Sequence, residues 1–437
     1  MFPLLLAATL AAPNPYRNEP PSVAGQTVML KGAPASFTPA GPAGPVPGNI
    51  SVTELPAVAE EAGRVLVRHQ GVDVWLSRTQ VMSPKEAVAF YTERINAEPQ
   101  NTTHYMRRAK AHELRNDWDA AIKDYDELVK MSPQSSAYWN NRANYYSRKK
   151  EYELARAGYE EAIKISPTSF VPLGNLGNLH ANLGDWDKAM ETYDRSLKVN
   201  PRYGRAFAGR ANVWRERRQY DKALEEAEEA IKADSTSPHT WGARGLVRTA
   251  RKEYDQALID CNEALRFDPL FATGYYNRAA VYLARKEYQP AIRDLDIAMH
   301  LSPKFTAAMV RRAEAWVACG NPPRALADLD EALAADDKYA PAYRQKAWLL
   351  ATHPDDTIRN GKAAVETAKK AVEHSRNAGG SVWEAMAASL AEAGDFPGAI
   401  EWQKKAAGDT AYATEKGEAV RKRLELYESK KPYRDAP

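Results

Sequence analysis

The chain has 437 residues, 44% hydrophobic and 27% charged, with 60 Lys and Arg against 57 Asp and Glu and a formal net charge of +3. Both signs are interspersed, which excludes the clustered basic face that a nucleic-acid partner requires. Cys261 and Cys319 sit too far apart in the pattern to suggest a disulfide, and Cys261 reads as a small buried hydrophobe. The eight histidines show no metal-ligand spacing, and there is no Gly-rich phosphate loop and no nucleophile signature, so no enzyme, metal or cofactor is expected.

The chain opens with an apolar run, Phe2 to Ala12, that ends in small residues and places Thr9 and Ala11 for signal-peptide cleavage. It is too short to span a bilayer, and the chain is not expected to be transmembrane. The run lacks a positive leader, so residues 1–12 read either as a secretory signal, giving a secreted or periplasmic protein, or as an unstructured start in a cytoplasmic one. Residues 31–49 are a Pro/Gly/Ala run that forms no core and reads as a linker. Short β-like runs flank it at 26–30, 50–55, 64–69 and 72–78, with Val65/Val67 and Val72/Val74 alternating around a turn at Gln70–Gly71. From VAGQTVMLK to GVDVWLSRTQVM, residues 23–82 resemble a small bacterial SH3-like barrel, which implies a core or groove role for Trp75. The other reading of the same runs is a β-hairpin packed as an N-terminal cap on the rest of the chain.

Residues 83–101 then read as one capping half-repeat. Ser83 is an N-cap, Pro84 takes the first helical position and Glu86 completes a capping box, with Ala87 and Tyr91 facing the array. Beyond it a fixed period takes over. Pro99, Pro133, Pro167, Pro201, Ser235, Pro269, Pro303 and Asp337 are spaced 34 residues apart. Such a period means identical supersecondary units, each burying its apolar face on the next, with proline at the seams. Small residues repeat in the same phase at Ala109, Ala143, Gly177, Ala211, Gly245, Ala279 and Ala313, and twelve residues later from Ala121 to Ala325. They allow two antiparallel helices to approach closely. Tyr105, Trp139, Leu173, Phe207, Trp241, Tyr275, Met309 and Tyr343 open the units.

These columns resemble the tetratricopeptide repeat family. The resemblance implies an all-α solenoid, a right-handed superhelix of antiparallel helix pairs over residues 102–411, with seven regular repeats to 337 and two degenerate ones. In the eighth unit THPDDTIRNG is an insertion in the inter-helix turn, and the stretch resembles a closing unit of bacterial repeat proteins of this family. Residues 412–437 read as a C-terminal capping helix and tail, with Val420, Leu424 and Tyr427 on the apolar side.

Two ladders run through the repeats. Arg108, Arg142, Arg210, Arg244, Arg278 and Arg312 share a column, and Asp124, Glu226, Asp260, Asp294 and Asp328 follow sixteen residues after their arginines. In the third unit Leu176 replaces the arginine and Thr192 the acid, so ion pairs between the two helices of each unit are expected. The second ladder is the candidate site. In the resembling family the first helices line a concave groove, and the positions facing it here hold Asn140, Asn141, Asn144, Asn175, Asn178, Asn182, Asn212 and Asn277. An asparagine amide can pair with both groups of a peptide unit. The family likeness therefore implies a non-catalytic scaffold that binds an extended peptide or partner protein, with exposed amides free of internal partners. The bland alternative is asparagine tolerated at polar helix positions. A C-terminal-carboxylate clamp is not expected, because Met106, Lys110, Val171 and Asn175 fail the required pattern around Asn141. A competing function is a cell-envelope assembly factor, anchored to envelope polymer through the SH3-like segment, with the repeats as platform.

Overall fold

The left-handed residue in each inter-helix turn shows how the period becomes structure. Asn116, Lys150, Gly184, Arg218, Lys252, Lys286 and Gly320 all have φ between 55° and 79°, and each stands 34 residues from the next. In the same phase the eighth unit has Pro354, whose ring locks φ negative. The tight turn is therefore unavailable there, and the connection lengthens until Asn360 caps the next helix by accepting from Ala363 N at 3.0 Å. The expected insertion thus has a backbone cause.

The computed structural model describes residues 27–30, 38–39, 54–61, 64–69, 72–77, 81–376 and 378–435. The expected signal segment, most of the expected linker and the Gln70–Gly71 turn lie outside the described residues. Two compact units divide the chain, residues 1–201 with 266–270, and residues 202–265 with 271–437.

In the first unit β1 (Thr27–Leu30), β2 (Thr38–Pro39), β3 (Glu54–Glu61), β4 (Arg64–His69), β5 (Val72–Ser77) and β6 (Val81–Met82) pair antiparallel in the order β2-β5-β4-β3-β1-β6. Of the β-like run expected at 50–55, residues 50–53 lie outside the described residues, and the strand from Glu54 goes on to Glu61, in register Thr27↔Pro56 with β1 and Glu61↔Arg64 with β4. The expected SH3-like barrel is not supported. β2 and β6, the edges in this order, have two residues each, and Met29 and Met82 are spent against Ala87 and Tyr91 of the following helix.

That helix is α1 (Pro84–Ala97), and its capping box is formed, with Ser83 N donating to Glu86 Oε2 at 2.6 Å and Glu86 N to Ser83 Oγ at 3.3 Å. Three helix pairs come next, α2 (Thr102–Leu114) with α3 (Trp118–Met131), α4 (Ser136–Arg148) with α5 (Tyr152–Ile165), and α6 (Phe170–Asn182) with α7 (Trp186–Val199). The second unit continues with α8 (Gly204–Glu216), α9 (Tyr220–Ala233), α10 (Pro238–Ala250), α11 (Tyr254–Phe267), α12 (Ala272–Ala284), α13 (Tyr288–Leu301), α14 (Thr306–Ala318) and α15 (Pro322–Ala335). It ends with α16 (Ala340–Thr352), α17 (Gly361–His374), α18 (Gly380–Glu392), α19 (Phe396–Ala407) and α20 (Thr410–Glu428). The capping helix begins earlier than the expected boundary at 412, because Asp409 caps it through Tyr412 N at 3.1 Å and also accepts from Gly380 N at 2.8 Å. Val420 and Tyr427 are buried, and Leu424 half-buried, as that helix requires.

Packing explains the small-residue columns. Ala109, Ala121, Ala143 and Ala155 are fully buried where paired helices meet. A Cβ on Gly177 would stand 2.6 Å from the Tyr193 ring, so the glycine makes room for a buried aromatic. The seams have a chemical partner too. Trp139 Nε1 and Trp241 Nε1 donate to the carbonyls of Pro133 and Ser235 at 2.8 Å, and the Tyr105 and Tyr343 hydroxyls to those of Pro99 and Asp337. Only the seam carbonyl is used, so serine and aspartate can replace proline there.

Candidate functional site

The first helix of each pair carries the asparagines, and the register decides which of them meet. In the first unit α4 presents Asn140, Asn141 and Asn144, and α6 presents Asn175, Asn178 and Asn182. Positions 35 residues apart face each other across neighbouring first helices. There Asn175 Nδ2 donates to Asn140 Oδ1 at 2.9 Å. Asn140 Nδ2 donates to Asn141 Oδ1 at 3.0 Å, and Asn141 Nδ2 to the Tyr125 hydroxyl at 3.1 Å. A continuous chain of side-chain bonds thus crosses three repeats.

Asn144 and Asn178 are fixed differently. Tyr159 OH donates to Asn144 Oδ1 at 2.7 Å and Tyr193 OH to Asn178 Oδ1 at 2.6 Å. Burial raises the Tyr159 phenol well above its ordinary range and pushes Tyr125 up to about 12, so both stay protonated. A neutral phenol bonded to the amide oxygen turns the amide NH2 group the other way. Asn182 is exposed and has no side-chain partner among the described residues.

This corrects the expectation of exposed, uncommitted amides. Asn140 is 5% exposed and Asn277 4% exposed. The reason is that the same spacing that lines up the amides also brings them within reach of one another and of a tyrosine fifteen or sixteen residues away. Capacity nevertheless remains. Each amide offers two donors and an acceptor, and Asn140 and Asn141 each spend one donor. Asn175 keeps its oxygen, and Asn144 and Asn178 keep their NH2 groups, among the described residues. Networks of this kind hold polar side chains in fixed orientations.

The second unit contains the counter-example. Asn212 is in the column of Asn144 and Asn178, but Ala227 stands where Tyr159 and Tyr193 do, and Asn212 Oδ1 is buried without a hydrogen-bond partner. Asn277 repeats the position of Asn175, and Gly242 occupies the place of Asn140, so a Cβ there would come 3.1 Å from Asn277 Nδ2. The tyrosines are the partners of the candidate row that a reading of asparagines alone misses. The Asn/Tyr co-occurrence at fifteen residues, broken where Ala227 replaces the tyrosine, is the sequence signal for them.

The charged ladder forms as expected and is structural. Arg108–Asp124, Arg210–Glu226, Arg244–Asp260, Arg278–Asp294 and Arg312–Asp328 close at 2.6, 2.5, 2.8, 2.8 and 2.6 Å. The column pattern gives no sign of a second, backward reach that the structure contains. Arg142, facing Gly158, pairs with Asp126 at 2.9 Å, and Arg312 also reaches Asp296 at 2.6 Å and Arg278 Asn262 at 2.7 Å. These arginines staple adjoining repeats, and Arg142 further lies 4.4 Å from the Trp139 ring centroid.

Residues 106–170 and 175–238 match the family model for the tetratricopeptide repeat. No curated protein sequence matches the chain. Among solved structures, human IFIT1, seen as a dimer with m7Gppp-AAAA, aligns with a TM-score of 0.51 at 13% identity over 74% of this chain and 86% of its own. Yeast Tom70 aligns at 0.48 and 16% identity over 79% of this chain and 85% of its own. The Cut9–Hcn1 hetero-tetramer of the APC/C gives 0.46 and 17% identity over 60% of this chain, which spans only 51% of that neighbour. At these identities the likeness concerns the fold alone. The matched segments and the helix pairs that keep their phase together show that this chain carries tetratricopeptide repeats, in an α-helical repeat array that comes after the sheet in sequence.

Proposed function

We propose that the protein is a non-catalytic scaffold for protein–protein contact and that α4 and α6 hold an extended peptide. One observation carries the reading. Asn140, Asn141 and Asn175 form a chain of amides across successive first helices, flanked by Asn144 and Asn178, whose NH2 groups are oriented by buried phenols. Such a row supplies backbone-directed donors and acceptors with little demand on the ligand's side chains. Envelope anchoring through the N-terminal sheet has less behind it, since Met29 and Met82 pack as a cap on α1.

A random peptide library selected on the full chain tests the proposal. Selected peptides should bind the Asn144→Ala/Asn178→Ala variant about thirtyfold more weakly, at roughly 1 kcal/mol for each of the two lost hydrogen-bonding amides. Unchanged affinity in a folded variant, or no enrichment at all, would overturn it.

A further inference from the structure

The stretch that follows α20 lies against α16. Trp348 lies six repeat lengths after Asn144, in the same column of first-helix positions. The segment 431–435, which comes after α20 and has no regular structure, lies against it and is half-buried at residues 432–435. Trp348 Nε1 donates to Asp435 Oδ2 at 2.6 Å, and Thr352 Oγ1 donates to the same oxygen at 2.9 Å. The Asp435 amide donates to the Thr352 carbonyl at 2.9 Å. The Tyr433 ring sits 5.9 Å from that of Trp348, centroid to centroid, and the Arg423 guanidinium lies over both.

The site exists because of how α16 ends. Helices leave their last carbonyls without intrahelical partners. As at the ends of the regular first helices, the last carbonyl, here that of Thr352, takes no part in the turn, and the Asp435 amide occupies it. One backbone bond, one carboxylate held by two donors and one tilted aromatic contact are the elements by which an extended segment is recognised. The strap is short, and the contacts at Trp348 and Thr352 come from Tyr433 and Asp435. Arg434 between them adds an ion pair to Glu392 at 2.7 Å.

We propose that the α16 surface at Trp348 and Thr352 is a docking site for a partner segment with an aromatic side chain two residues before a carboxylate, and that residues 433–435 cover it in cis. A tethered strap acts at an effective concentration of the order of millimolar, so it screens out weak ligands and yields to a segment that makes further contacts. This site does not depend on the asparagine row, and its failure would leave that reading untouched.

The probe is a fluorescent heptapeptide with the sequence of residues 431–437, KPYRDAP. It should bind the full-length Tyr433→Ala/Asp435→Ala variant at least tenfold more tightly than the parent chain, and a peptide with Asn in place of the aspartate should not. Equal binding to both proteins, or none to the folded variant, would overturn the proposal. The parent chain gives a check that needs no substitution. Millimolar peptide should speed hydrogen exchange at the Asp435 amide about tenfold by displacing the strap, and unchanged exchange would refute displacement.

Discussion

Removing Arg278 should expose how the repeats are held. Its Nε and Nη2 donate to the two oxygens of Asp294 at 2.8 Å each, and that carboxylate is only 7% exposed. Breaking one side of a buried ion pair costs about 3–5 kcal/mol because the remaining charge is uncompensated. The Arg278 side chain is 22% exposed, so water can enter where it leaves. We therefore expect Arg278→Ala to destabilise by about 2–3 kcal/mol, below the fully buried case. The third repeat supplies the control. There Leu176 and Thr192 take the same two places, and the Thr192 hydroxyl donates to the Lys188 carbonyl at 2.6 Å. Arg278→Leu/Asp294→Thr copies that solution and should cost within about 1 kcal/mol, as apolar replacement of a whole pair usually does. Urea unfolding of the full chain, with hydrogen exchange of α12 and α13 to localise the effect, measures both. A double variant as unstable as the single one would mean that the pairing of the columns has no energetic content.

Packing sets two further expected outcomes. Gly177→Ala should cost about 1–3 kcal/mol, because the added methyl meets the ring of the 1%-exposed Tyr193 at 2.6 Å and a filled core resists insertion; a thermal midpoint equal to the parent's would show that the ring moves freely. In a thiol-titration assay at neutral pH Cys319, which is exposed, should react at once, whereas Cys261 is buried, its thiol pushed up to about 12, and should react only on unfolding. Two fast thiols in the folded protein would contradict the core packing around Ala257 and Val281.

Much of this architecture is legible in the sequence because a repeat is its own alignment. The 34-residue phase dictates helix pairs, since small residues must recur wherever two helices touch and a chain breaker or its carbonyl must recur at each seam. The Arg/acid spacing of sixteen residues is legible for the same reason, and the joint loss at Leu176 and Thr192 is what one absent ion pair leaves behind. The candidate asparagines are legible as a column but not as a network. Whether Asn175 meets Asn140, or Tyr193 meets Asn178, depends on how far one helix is offset from the next, and that offset comes from packing around residues such as Gly177. Local pattern does not show that the strand from Glu54 runs on to Glu61, because its extent is set by pairing with β1 and β4, and the partners in β1 are distant in sequence. The seating of Tyr433 and Asp435 on Trp348 and Thr352 has no local signal at all. Periodic, short-range contacts are written into the sequence of a repeat protein, whereas contacts that bring together residues 83 and 87 positions apart were decided only when the chain folded.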